Sequence, residues 1–157
     1  MPFLADTNIL LRLAEPSDPD YTIVRTAVET LLARGEHLCY AAQNLVEFWS
    51  VCTRPIDRNG FGLSIAEADA RAKLIEARFR FLPDSERVHV EWRRLVVRYS
   101  VAGSQVHDAR LVASMLVHGV TNVLTLNDRD FARYSGISAI HPRTIPAGPG
   151  SQSKGGL

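Results

Sequence analysis

The chain has 157 residues, of which 46% are hydrophobic and 22% charged, and 18 basic residues against 17 acidic ones leave a net charge of +1. That length suits a single domain, which buries about 70% of the surface its unfolded chain would expose. That charge balance gives no global field that calls for nucleic acid, and no apolar run approaches the ~20 residues that span a bilayer. Asp6 interrupts the apolar start, so no cleavable leader is expected and the expected setting is cytoplasmic, with no membrane partner. Cys39 and Cys52 stand in apolar contexts without zinc spacing and are expected to be reduced core thiols.

In chain order, Pro2 to Ala5 reads as a short buried strand, and Ile9 to Ala14 as a helix stopped by "EPSDP". Tyr21 to Ala33 has helical periodicity, with Gly35 as its stop, and His37 to Ala41 is a candidate second strand. Gln43 to Thr53 is a helix ended by Arg54-Pro55. "DRNGFG" is a loop. Ser64 and Glu67 form a capping-box pattern at the head of a helix that runs to about Arg78. Phe79 to Leu82 is a third strand, after which Asp84 or Ser85 caps a helix to about Tyr99. Gln105 to His118 is a helix that is apolar on both sides and therefore expected to be covered on both. Val123 to Leu126 is a strand, Arg129 to Tyr134 a short helix and Ser138 to His141 a last strand. Residues 1–145 are expected to form the domain, and the Gly/Ser-rich 146–157 a disordered tail.

Strands that alternate with helices predict an α/β fold of three layers, a mostly parallel central sheet flanked by helices. Ligands of such sheets bind at the carboxyl ends of the strands, which directs attention to four acids. Asp6 follows the first strand, where it could cap the next helix or serve as a metal ligand. Glu47 sits among Leu45, Val46, Phe48 and Trp49. It could close a capping box with Asn44 as the N-cap, or face a site. Asp108 lies in the first turns of the apolar helix, where the helix N-terminus favours negative charge. Arg110, two residues on, points elsewhere along the helix and is no local partner for it. Asn127, Asp128 and Asp130 follow the fourth strand, and Asp128 could cap the short helix there.

Taken as a set, clustered carboxylates repel one another, and a divalent cation removes that cost. Oxygen-only ligands favour Mg²⁺ or Mn²⁺ over zinc. Such a cation can bind phosphate oxygens and activate water for phosphodiester hydrolysis.

The stretches "LADTNILL", "QNLVEFWSVCTRP", "HDARLVASMLVHGV" and "VLTLNDRDFARYSGI" occur in this order, and their acids Asp6, Glu47, Asp108 and Asp130 are separated by 41, 61 and 22 residues. Together they resemble the PIN-domain ribonucleases, in particular the VapC-type toxins of prokaryotic toxin–antitoxin pairs. The resemblance implies an Mg²⁺- or Mn²⁺-dependent endoribonuclease that cuts RNA to a 5′-phosphate and a 3′-hydroxyl, forms a homodimer and is inhibited by a cognate antitoxin protein. It makes Asp6, Glu47 and Asp108 the main metal-binding and catalytic acids. The fourth position is shared among Asn127, Asp128 and Asp130, with Asp130 the leading choice. Thr7 and Asn8 match the polar pair that supports the ligands by hydrogen bonds. His107 and Arg110 flank the third acid as substrate-contact candidates.

Between Arg71 and Arg98 eight basic residues accompany four acidic ones, either as a rim for the RNA backbone or as a solvated helix face. Two further readings gather aspartates around Mg²⁺. A receiver-like domain needs a lysine beyond a late strand, and the lysines here are Lys73 and Lys154. A phosphatase of the haloacid-dehalogenase kind needs Asp at position 8, which is Asn. A catalytically inactive PIN-like RNA-binding module is the remaining alternative.

Overall fold

A computed structural model describes residues 1–148. Five strands, β1 (Pro2–Ala5), β2 (His37–Ala41), β3 (Arg80–Leu82), β4 (Asn122–Leu124) and β5 (Ser138–Ile140), form one sheet in the order β3-β2-β1-β4-β5. Every neighbouring pair is parallel. Six helices surround it: α1 (Thr7–Leu13), α2 (Tyr21–Ala33), α3 (Ala42–Thr53), α4 (Ile65–Arg78), α5 (Glu86–Arg98) and α6 (Gln105–Val117). The expected three-layer α/β architecture is therefore what the chain adopts.

The layers follow from period-two alternation along the strands. Phe3, Ala5, Leu38, Tyr40 and Leu124 point to one face, where they meet Ile9, Leu10, Val24, Val28, Phe48 and Ile75 of α1 to α4. Leu4, Cys39, Ala41, Leu82 and Val123 point to the other, against Val88, Leu95, Ala109, Val112 and Met115 of α5 and α6. The strand order explains this split. From β1 the chain steps outward through β2 to β3, and right-handed crossovers place α1 to α4 on one face. It then returns to the far side of β1 as β4, so the same hand sends α5 and α6 to the opposite face. The order reverses between β1 and β4, and sheets of this kind bind ligands at the carboxyl ends of the strands beside such a reversal.

Several boundaries differ from expectation for local reasons. Helix α1 starts at Thr7 rather than Ile9, because Asp6 is its cap and accepts the Thr7 N–H at 2.8 Å. Strand β4 ends at Leu124 and the expected 129–134 helix is a 3-10 turn at Asp128–Phe131. Helix α6 is covered on both sides as expected, with Ala109, Leu111, Val112, Ala113 and Met115 all buried. The Ser64–Glu67 capping box forms in both directions. Cys39 and Cys52 are buried free thiols, and burial pushes the Cys52 thiol up to about 11. The chain beyond β5 makes a 3-10 turn at Pro142–Thr144, and the Pro146 carbonyl accepts from Arg34. The rest of the expected tail, 149–157, lies outside the described residues. Among the described residues no helix is long and apolar enough to cross a membrane.

Candidate metal centre

Asp6 is the first residue beyond β1 and is 7% exposed. Its backbone N–H still follows the sheet ladder, donating to the Leu124 carbonyl at 2.9 Å, which sets the residue at the carboxyl ends of β1 and β4. Oδ1 accepts the Thr7 N–H at 2.8 Å, and Oδ2 accepts the Thr125 hydroxyl at 2.7 Å. Each oxygen retains a further lone pair. Burial is the largest influence on this carboxyl and raises its pKa. The two hydrogen bonds oppose the rise, and the charges of Glu47 and Asp130 add to it. The same side chain thus starts α1 and ties the end of β1 to Thr125 beyond β4.

Glu47 has a different local role from the one its spacing suggested. The cap of α3 is Ala41, and Asn44 is the third residue of the helix. The Asn44 Oδ1 accepts the Ala41 N–H at 2.8 Å, so Asn44 occupies the position expected of Glu47 in the capping box. Glu47 is released from backbone capping. Its Oε2 accepts the Thr7 hydroxyl at 2.6 Å and its Oε1 accepts the Gln43 amide at 2.8 Å. Asn44, fully buried, donates in turn to Thr7 Oγ1 at 3.1 Å.

Asp108 sits in the first turn of α6, half-buried. Its carboxyl is pushed up to about 7, first by burial and then by the charges of Asp6, Asp130 and Glu47, with Arg133 pulling the other way. The four acids therefore share one electrostatic neighbourhood, although they come from the ends of β1 and β4 and from α3 and α6. Of the three candidates after β4, Asp130 is the one whose charge reaches both Asp6 and Asp108. Asp128 and Asn127 are exposed, and the Asn127 N–H is bound to Thr125 Oγ1 at 3.0 Å.

The remaining expectations divide. Thr7 supports Glu47 as described. Asn8 instead bridges the two strand ends, accepting the Leu126 N–H at 3.3 Å and reaching Thr125 Oγ1 at 3.5 Å. The His107 ring is exposed, and it is the His107 carbonyl that is engaged, by Gln43 at 2.9 Å. Arg110 turns away from Asp108 to pair with Asp84 at 3.1 Å. Within the Arg71–Arg98 stretch, Arg71 donates to the Ala14 carbonyl, Arg78 pairs with Glu29, Lys73 with Asp69 and Arg94 with Glu91. The basic charge that reaches Asp108 comes from Arg133. Thr125, Asn44 and Gln43 were missed as site residues by sequence reasoning. Thr125 carried a faint signal, a polar residue closing an apolar strand.

Among the described residues, no three His, Cys, Asp or Glu side chains converge closely enough to hold a metal ion as they stand. The chemistry of the set nonetheless fits a hard divalent cation. It is oxygen-only, two of its members are oriented by hydrogen bonds that leave lone pairs free, and its charges disfavour one another.

The fold is similar to that of several solved VapBC and VapC structures. The VapBC-1 structure from nontypeable Haemophilus influenzae superposes with a TM-score of 0.67 at 15% identity, over 90% of this chain and 98% of that one. The VapBC2 structure from Rickettsia felis, bound to a promoter DNA fragment, gives 0.66 at 14%, again over 90% and 98%. VapC20 from Mycobacterium tuberculosis, described as a toxin that cleaves the sarcin–ricin loop, gives 0.61 at 17%, over 86% and 98%. At these identities the likeness is one of fold. No curated protein matches the sequence. The family model described as PIN domain matches residues 3–137, nearly the whole of the described chain, and the chain belongs to the PIN-domain family.

Proposed function

We propose that the chain is a divalent-metal-dependent endoribonuclease that acts as the toxin of a toxin–antitoxin pair. The observation that carries this reading is the buried Asp6 carboxylate at the β1–β4 switch point, where such sheets bind ligands, with Thr125 on one oxygen and, on the other, Thr7, whose hydroxyl also binds Glu47. The mutual charge effects among Asp6, Glu47, Asp108 and Asp130 support it. Family membership supports nuclease chemistry, and the toxin assemblies with the same fold support the biological role.

In this reading Asp6 and Asp108 hold the cation, Mg²⁺ or Mn²⁺, and Glu47 and Asp130 complete its surroundings. When bound, the cation supplies charge for the phosphate oxygens and polarises a water. The chain does the rest. Thr7 and Thr125 keep the Glu47 and Asp6 carboxylates aimed inward. Arg133, hydrogen-bonded to Gln105 beside Asp108, offers a planar donor to the RNA backbone. RNA in single-stranded or looped form can bring a phosphate into a site of this kind. A homodimer, a cognate antitoxin and a cytoplasmic setting belong to the same proposal.

The test is cleavage of a labelled single-stranded RNA by the purified chain. Mg²⁺ or Mn²⁺ should support internal cuts, EDTA should stop them, and Asp6→Asn should lose them while keeping a wild-type circular dichroism spectrum. Cleavage by Asp6→Asn equal to wild type would remove the site assignment. Absence of cleavage with retained RNA binding would instead favour an inactive RNA-binding module.

A further inference from the structure

We infer that Gln43 is a positioning residue that sets Glu47 against Asp108, and that Arg110 holds its amide in the working orientation. The inference rests on reading the four acids as a cation site. Gln43 stands one turn before Glu47 on α3, and both donors and one acceptor lone pair of its amide are engaged. The two N–H bonds of Nε2 go to Glu47 Oε1 at 2.8 Å and to the His107 carbonyl at 2.9 Å. Oε1 accepts from Arg110 Nη1 at 3.3 Å. The other end of that guanidinium pairs with Asp84 at 3.1 Å.

This pattern admits one orientation of the amide. A flip would set Oε1 against a carboxylate and a carbonyl, both acceptors, and Nε2 against a guanidinium, a donor. Arg110 therefore does more than neutralise Asp84: it makes the amide nitrogen face Glu47. The consequence is spatial. His107 immediately precedes Asp108, so the Gln43 amide ties the carboxylate carried by α3 to the first turn of the helix that carries Asp108. With Thr7 on Oε2, Glu47 receives one donor on each oxygen, from two different elements, and loses the rotational freedom that would let it swing away. Partners of this kind are worth about 10–100-fold in metal affinity.

The test is Mn²⁺ titration of the purified full-length chain by calorimetry, with no RNA present. Gln43→Met, close in length and without donors, should weaken Mn²⁺ binding about 10–100-fold while melting in EDTA near the wild-type temperature. In a Glu47→Gln background the same Gln43→Met change should have no further effect on Mn²⁺ affinity, because Gln43 acts through that carboxylate. A merely structural role would carry the loss into both backgrounds. Arg110→Ala, on a side chain 39% exposed, should weaken binding in the same direction by a smaller factor, and it serves as the test should Gln43→Met unfold. Wild-type affinity in both Gln43→Met and Arg110→Ala would overturn the inference. Wild-type binding abolished by Asp6→Asn would leave the cation site standing in that event, whereas no Mn²⁺ binding by the wild-type chain would overturn both.

Discussion

Asp6 joins two elements through one carboxylate. One oxygen caps α1 and the other takes a hydroxyl from Thr125. Removing the Thr125 hydroxyl leaves a buried carboxylate short of a donor, so Thr125→Val should cost about 1–3 kcal/mol at neutral pH in urea denaturation, and Thr125→Ser should recover most of it. Asp108 makes a pH prediction. Its pKa is raised to about 7, above its unfolded value, so the folded state holds the proton more tightly. The stability of the metal-free protein from this group is greatest at low pH and is lost as pH rises from about 4 through about 7. Melting in EDTA from pH 5 to 8 should therefore fall more steeply for wild type than for Asp108→Asn, and Mg²⁺ should raise the wild-type melting temperature more at pH 8 than at pH 5.5. An equal slope in the two proteins would remove Asp108 as the cause. The four acids could be singled out as candidates from residue type and place. The polar residues bonded around them could not, because Gln43, Asn44 and Thr125 are ordinary polar residues whose contacts join elements distant in sequence.

Elements were legible where punctuation was strong. The β2 boundaries agree with the pattern, and the Ser64 capping box fixes the head of α4. At α3 the spacing of Asn44 and Glu47 left a capping box open as one of two roles for Glu47, but the chain enters that helix directly from β2, so Ala41 is the cap and Asn44 reaches back to it. The loop after α3 is tighter than its polar sequence suggests. Phe61, Gly62 and Leu63 donate to the carbonyls of Val51, Arg54 and Cys52, folding the chain back over the helix end. A Cβ at Gly60 would stand 2.0 Å from the Arg54 carbonyl oxygen. Gly60→Ala should therefore destabilise the protein by about 1–3 kcal/mol in chemical denaturation, through forced displacement of the loop. An unchanged midpoint would contradict that close approach. Asn59, at φ 60°, should by contrast accept glycine with little cost, since glycine adopts the left-handed region freely.

At the scale of the whole molecule, the strand order is what brings four acids scattered in sequence into one electrostatic neighbourhood. The alternation of strands and helices predicted a parallel sheet, but nothing local to any segment states that β4 returns beside β1, since that pairing is settled by which apolar faces can be covered together. The return brings Thr125 and Asp130 to the end of β1 and sets α6 on the face opposite α3. If this pocket is the toxic activity, induced expression in bacteria should arrest growth, and Asp108→Ala should relieve the arrest at equal protein levels. Undiminished arrest by Asp108→Ala would point to another surface. The most direct measurement is a crystal of the wild-type chain soaked in Mn²⁺, with anomalous diffraction recorded at the manganese edge. The account predicts a peak between the Asp6 and Asp108 carboxylates, absent from Asp6→Asn crystals. A fully soaked wild-type crystal with no peak at the carboxyl ends of β1 and β4 would contradict it.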